Sequence, residues 1–281
     1  MRTFLLLSCV LIISFPSYSQ SNDCSKQLGV NKVVCLAEAF KATLTKEQLA
    51  QAQRDYSKND AARWSNFPQA FARPSRVGLN LESLSAEQLH AFKELMKSVL
   101  SENNLNEGFD ELEGALHADT YFGEKTGKTN VFGSNYYVIA FLGKPSSEQL
   151  WELMFGGHHF AFANTYRGGK LAGATPSFRG VEPLQPIQVD GRSYEPLEDE
   201  MRTFSEILSL LSEEQKEKAK ISAPAGDVLL GPGKDNEFPS AKSGIKIGVL
   251  GKEATQKIIK AVGLYVNDLD SITSKGLLQN T

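Results

Sequence analysis

The sequence predicts an α+β fold in which helices flank a central, mainly antiparallel sheet. Three observations carry this. Apolar residues at helical spacing occupy both ends of the chain, the segment from Tyr136 to Phe178 is rich in β-branched and aromatic residues, and a Gly-Gly turn joins two of its strands. A hydroxyl residue followed three positions on by Gln occurs at Thr45-Lys46-Glu47-Gln48, Ser85-Ala86-Glu87-Gln88, Ser146-Ser147-Glu148-Gln149 and Ser212-Glu213-Glu214-Gln215. Each reads as a capping box, in which hydroxyl and amide satisfy backbone N–H groups at a helix start. Their irregular spacing argues against a repeat architecture.

Behind the second box, Leu89, Phe92, Met96, Val99 and Leu100 share one helical face, with His90 beside it in solvent. Further stripes run through Phe109, Leu112, Ala115 and Leu116, through Met201, Phe204, Leu208 and Leu211, and through Ile258, Ile259, Val262, Val266 and Leu269. Between them, Tyr136 to Leu142 reads as a buried strand ending at Gly143-Lys144-Pro145. His158 to Tyr166, Arg167-Gly168-Gly169-Lys170 and Leu171 to Phe178 read as a hairpin whose glycines supply positive φ. Ala223 to Gly244 is a Gly- and Pro-rich connection with a short strand expected at Val228 to Leu230.

The chain has 281 residues, 41% of them hydrophobic, which suffices for a full core. Thirty Lys and Arg against 33 Asp and Glu give a net charge of -3, so there is no basic field to collect nucleic acid. Four His and three Cys exclude iron–sulfur arrays and multi-zinc modules. Arg2, the apolar run Phe4 to Phe15 and Ser17-Tyr18-Ser19 form a secretory signal peptide cleaved before Gln20. Residues 1–19 are thus read as the signal and 20–281 as a single exported domain, periplasmic or extracellular. No transmembrane segment is expected, because no apolar run approaches 20 residues. The mature chain keeps Cys24 and Cys35, whose simplest use in an oxidising compartment is one disulfide tethering the N-terminal segment to the first helix.

The chemistry concentrates in Trp151 to Phe162, which holds Glu152, Gly156-Gly157 and half of the histidines, His158 and His159. The glycines can end a short helix begun at Ser147, after which a strand begins. Strand alternation puts His158 with Phe160 and Phe162, and His159 with Ala161 and Ala163, so the two imidazoles are expected to point apart unless the glycines create a bulge. On that reading His158 is a core residue bonded to a carbonyl and a carboxylate, and His159 faces room for a metal or ligand. His117 and Asp119 are expected at a helix end as capping or surface residues, with metal ligation second. Arg179 and Glu182 flank Gly180 near a sheet end, where an ion pair is the plain reading. Glu195, Glu198, Asp199 and Glu200 suit a helix N-terminus. There is no phosphate-binding loop, Gly-x-Ser-x-Gly elbow or HExxH motif.

The order of Arg63-Trp64 to Pro68, Arg76-Val77-Gly78-Leu79, Ser85 to Gln88, Tyr137 to Pro145, Trp151 with Gly157-His158-His159, and Pro176-Ser177-Phe178-Arg179-Gly180-Val181-Glu182-Pro183 resembles the bacterial family called domain of unknown function 3500. The resemblance spans residues 40 to 270 and implies an exported bacterial protein without bringing an activity. The chain departs from the family pattern at Gly156, where an acidic residue often precedes the Gly-His-His step.

These residues support two functional readings. One is a metal-dependent, hydrolase-like enzyme with His158 or His159 as ligands of a divalent transition metal and Glu182 or Glu200 as carboxylate ligand or general base. The other is a non-catalytic exported protein that binds a small molecule in an aromatic pocket of Trp64, Trp151, Phe160 and Phe162, with Arg179 as a polar contact.

Overall fold

A computed structural model describes residues 23–72, 75–102, 105–221 and 228–279. The segment expected to be a signal peptide lies outside them, as do the first residues of the Gly- and Pro-rich connection. A 3-10 turn, Cys24–Lys26, leads into α1 (Gly29–Thr43), α2 (Lys46–Ala52), the two-residue β1 (Gln53–Arg54) and α3 (Lys58–Ala61). β2 (Leu79–Asn80) precedes α4 (Ala86–Val99) and α5 (Phe109–Thr126). The centre holds β3 (Val138–Leu142), β4 (Trp151–Gly156), β5 (Phe160–Arg167), β6 (Lys170–Gly173) and β7 (Ser177–Arg179), then the separate hairpin of β8 (Ile187–Val189) and β9 (Arg192–Tyr194). The chain closes with α6 (Glu198–Leu210), α7 (Glu213–Ala219), α8 (Lys252–Asn267) and α9 (Ser271–Leu278). This is the expected α+β class.

The sheet runs β1-β3-β4-β5-β6, with β2 also on β3 and β7 also on β5. All pairs are antiparallel except β1 with β3. β3 and β4 are buried at every residue, as strands covered on both faces must be. Ile139, Phe141, Leu153 and Phe155 face the main core, where Phe40 of α1 and Phe92, Leu95 and Met96 of α4 meet them. On the other face the small side chains Ala140, Ala161 and Ala163 leave room for Trp64 and Val77, whose loop lies on the sheet.

Three of the four capping boxes start helices, at Thr45, Ser85 and Ser212. The box at Ser146 does not. Its hydroxyl accepts from the N–H groups of Glu148 (3.1 Å) and Gln149 (3.0 Å), yet β4 begins at Trp151. Trp151 Nε1–H closes the turn onto the Ser146 carbonyl at 2.8 Å, and Trp-Glu-Leu-Met-Phe then pairs on both edges, so sheet burial overrides a local helix signal. The expected strand at Val228 to Leu230 is also absent: Leu229 and Leu230 lie in a turn.

The α6 and α8 stripes are turned from their expected directions. Met201, Phe204 and Leu208 are exposed while Glu200, Thr203 and Ile207 are buried. Ile259 and Val262 are exposed while Ala254, Ala261 and Leu264 are buried. α6 and α8 pack on each other, and the buried side of α6 carries the acidic Glu200. In α4 the buried face likewise runs through Gln88, Phe92, Leu95 and Met96, with Leu89 at the exposed edge.

Cys24 and Cys35 form a disulfide with Cα atoms 5.7 Å apart. Cys35 lies in α1, whose Val33, Ala37 and Phe40 enter the core, whereas Cys24 is the anchor of the short segment before it. Reduction should therefore expose residues 23–28 to proteolysis while the melting temperature of the body changes little. Limited proteolysis with and without reductant reads this directly; a collapse of the whole melting transition on reduction would show the bridge to be global.

Candidate metal centre at the β4–β5 turn

β4 and β5 pair from Trp151↔Tyr166 to Gly156↔Ala161, and Gly157 N–H donates to the Phe160 carbonyl at 2.8 Å. Only His158 and His159 remain between these pairs, so they are the two central residues of a hairpin turn. Both histidines therefore precede the strand expected to begin at His158. His159 takes φ +63, a left-handed conformation that turns its side chain back beside its neighbour. The ring centroids lie 3.9 Å apart. The expectation that strand alternation drives the imidazoles apart is thus corrected, because a turn has no such alternation.

The surroundings hold this turn from several sides. Arg76 is buried and donates to the carbonyls of Gly157 (2.9 Å), Ser65 (3.0 Å) and Phe67. Burial pulls its guanidinium down to about 10, partly offset by Tyr137 and Asp119. Tyr137 OH donates to the His158 carbonyl at 2.5 Å, and burial holds that phenol well above its ordinary value. His159 N–H donates to the Asn66 carbonyl at 2.8 Å. Gly157 is required by close approach: a Cβ there would lie 2.4 Å from the Tyr137 ring.

His158 is buried, and its Nδ1 lies 2.7 Å from Asp119 Oδ1. Asp119 is itself 3% exposed, and its other oxygen accepts from Gly133 N–H at 2.9 Å. It stands inside α5, not at a helix end, so it is neither cap nor surface residue. A carboxylate on Nδ1 fixes the ring and leaves Nε2 as the free lone pair, the arrangement by which proteins orient metal-binding histidines. Phe132 and Phe122 wall the ring, with centroids 4.9 Å and 6.2 Å away.

The free nitrogens meet Glu182. Its Oε2 is 3.7 Å from His158 Nε2 and 3.4 Å from His159 Nε2, and one ligand atom from each of the three residues lies within 4.8 Å of the others. These separations exceed the ordinary hydrogen-bond length of about 2.9 Å. The 3.4 Å separation matches the edge of a tetrahedron with bonds of about 2.0–2.1 Å, which is roughly 3.3–3.4 Å, and the 3.7 Å separation is slightly longer. Burial, then the His158 ring, holds His159 below its ordinary value, which favours the neutral, ligating form. The His159 and Glu182 side chains are 35% and 46% exposed, so the outer side of the set is open.

The other expected site residues lie elsewhere. Trp151 is fully buried at the far end of β4, stacked on Tyr166, and Phe160 and Phe162 belong to the same main core. Trp64 sits on the opposite face of the sheet. These four side chains enclose no common pocket, so the aromatic-pocket reading is corrected: they are core. Arg179 is buried against Glu111 (3.3 Å) and Asp268 (3.2 Å), and Glu200 lies with that group rather than with the histidines. His117 packs on the Tyr194 ring. A cleft of about 570 Å3 lies between the start of α1, the β5–β6 turn and α9, lined by residues such as Leu28, Lys170 and Ile272, and holds none of the clustered ligands.

The fold and site together define an α+β protein in which two histidines of a hairpin turn, one buried and one partly exposed, meet a half-exposed glutamate from the segment after β7. Residues 26–281 match the family model described as a protein of unknown function, DUF3500, and the chain belongs to that family. No curated protein and no solved structure matches it.

The packing separates the residues by mutation. Gly157→Ala should destabilise by about 1–3 kcal/mol through overpacking against Tyr137. His158→Ala should cost a similar ~1–3 kcal/mol, because Asp119 loses its buried partner. His159→Asn should stay near the wild type, since Asn tolerates positive φ. Urea unfolding of the three variants measures this order, and an equal loss for His158 and His159 would make both rings core elements.

Proposed function

We propose that the protein is an exported, metal-dependent enzyme of hydrolytic type, with His158, His159 and Glu182 as ligands of a divalent transition metal. The observation that carries this reading is the spacing of Glu182 from both Nε2 atoms, too long for good hydrogen bonds and right for neighbouring ligands of one ion. Two imidazoles and one carboxylate suit zinc, manganese or iron better than calcium, which prefers oxygen alone. The open side leaves a coordination position for water or substrate, as catalytic sites require and closed structural zinc sites lack.

Within this reading each residue has a stated task. A divalent ion in this site would polarise a bound water or a substrate carbonyl or phosphoryl oxygen. Asp119 holds the His158 proton on Nδ1 and keeps Nε2 directed outward. Arg76 and Tyr137 pin the backbone of the turn, so that the ligands need little reorganisation. Phe122 and Phe132 exclude water from the inner side. Among the described residues no helix is long and apolar enough to cross a membrane, which is compatible with export as a free protein.

Metal analysis and calorimetric titration with Zn2+ or Mn2+ test the reading. One equivalent should bind to the wild type and none to Glu182→Gln or His159→Asn, with the metal-free melting temperatures of both variants close to wild type. Asp119→Asn should retain binding but weaken it about 10–100-fold. Less than a tenth of an equivalent in the wild type, with no thermal shift on adding metal, would remove the proposal. Hydrolysis of chromogenic ester and phosphoester probes should vanish with chelator and return with metal.

A pH series adds a sign. Ligation needs neutral rings, so affinity falls on acidification, and for His159 the loss should come below the ordinary histidine value of about 6.5. Affinity that halves already above pH 7 would contradict the neutral, partly buried ring.

A further inference from the structure

A second group of charged side chains is buried away from the histidines, where the C-terminal helices meet the body. Asp268, at the end of α8, is fully buried, as nearly are Glu111 (1% exposed), Glu200 (4%) and Glu107 (5%). Asp268 is also the docking point of the C-terminal segment: Oδ1 accepts from Gly108 N–H at 2.9 Å, and its carbonyl accepts from Ser101 N–H at 2.7 Å. Arg179 brings the positive charge, with Nε 3.2 Å from Asp268 and 3.3 Å from Glu111.

The charges do not balance if every group is ionised. Four ionised carboxylates around one guanidinium leave an excess of negative charge in a dry site, at a desolvation cost no fold sustains unpaired. Both oxygens of Glu111, both of Glu200 and one of Glu107 accept no hydrogen bond, although Arg179 Nε stands 3.3 Å from one Glu111 oxygen. Protonation removes both defects. A neutral Glu107 or Glu111 carries no charge and becomes a donor, and the Asp268 carboxylate stands within hydrogen-bonding reach of each. A metal ion is the other way to balance the charge, but Arg179 Nε already stands between Glu111 and Asp268, where that ion would sit.

We propose that Glu107, Glu111, Glu200, Asp268 and Arg179 form a proton-holding latch that fastens α8 and α9 to the body and releases them as the pH rises. The groups facing it come from every element around it: Glu107 and Glu111 from α5 and the turn before it, Asp199 and Glu200 from α6, Arg179 from β7, and Tyr265 and Asp268 from α8. Burial, reinforced by Glu200 and Asp268, pushes Glu107 up to about 9, and burial also raises Glu111 and Glu200. A carboxyl raised by folding contributes stability that is complete below the ordinary carboxylate range and is lost as pH climbs through the folded value. The latch is therefore firm in acid and loosens progressively toward pH 9.

Hydrogen exchange on the full chain, followed from pH 6 to 9.5 with chelator present and corrected for intrinsic rates, tests this. Opening of residues 252–278 should grow by up to about tenfold per pH unit for each proton released. Glu107→Gln and Glu111→Gln imitate the protonated forms, so both should fold and flatten that dependence, and each should melt higher than wild type at pH 9. Opening that ignores pH, or the same steepness in both variants, would overturn the latch. Closure of the segment by millimolar Ca2+ or Mg2+ at pH 9 would overturn it too, by showing that a cation rather than protons balances the site. The His159→Asn variant should behave as wild type here, which separates this test from that of the histidine centre.

Discussion

The pairing register of β4 with β5 is the constraint on which the site depends. Six consecutive pairs, ending at Gly156↔Ala161, and the Gly157 N–H bond to the Phe160 carbonyl leave only two residues to reverse the chain, and these are His158 and His159. A two-residue turn needs a left-handed residue, and His159 takes that role at φ +63. Such a backbone is costly for a residue other than Gly, Asn or Asp, and it persists because the surroundings determine it. Arg76, Tyr137 and Asn66 each bond the turn's backbone, while Gly157 lets the Tyr137 ring press directly on it. Strain held in this way commonly marks a functional position, and here it brings two imidazoles to 3.9 Å.

The two charged clusters differ in access to solvent, and that difference sets their chemistry. At the turn, the inner histidine is buried and oriented by Asp119, while His159 and Glu182 remain partly exposed. Ligands can arrive from outside, and a half-solvated carboxylate stays available as a donor atom. Around Arg179 the carboxyl groups are almost wholly buried, so protons rather than diffusing ligands balance the charge. β7 joins the two regions in sequence, with Arg179 at its end and Glu182 three residues later.

Much of the fold was legible from local signals, and the failures share one physical cause. The Gly168-Gly169 turn, three capping boxes and the disulfide all rest on short-range chemistry, and all are present. Ser146 also caps its turn, but the conformation of the next residues is decided by pairing with distant strands, which no local motif encodes. The outward stripes of α6 and α8 fail similarly: periodicity identifies an apolar face without saying which side meets the body. In the site, the residue type at His158, His159 and Glu182 was readable, whereas their convergence required the register. Asp119 had a usable signal, because it continues the apolar face of Leu112, Ala115 and Leu116 at helical spacing, and a lone acid on a buried face needs a partner.

A single ion held jointly by the turn and Glu182 would unite these observations. Anomalous diffraction from crystals grown with Zn2+, recorded on both sides of the zinc edge, tests it most directly. One strong peak is expected about 2.0–2.2 Å from His158 Nε2, His159 Nε2 and a Glu182 oxygen, with Asp119 still on His158 Nδ1. Zinc found only at other surface residues, with the His158–Asp119 pair intact and no peak at the turn, would contradict it.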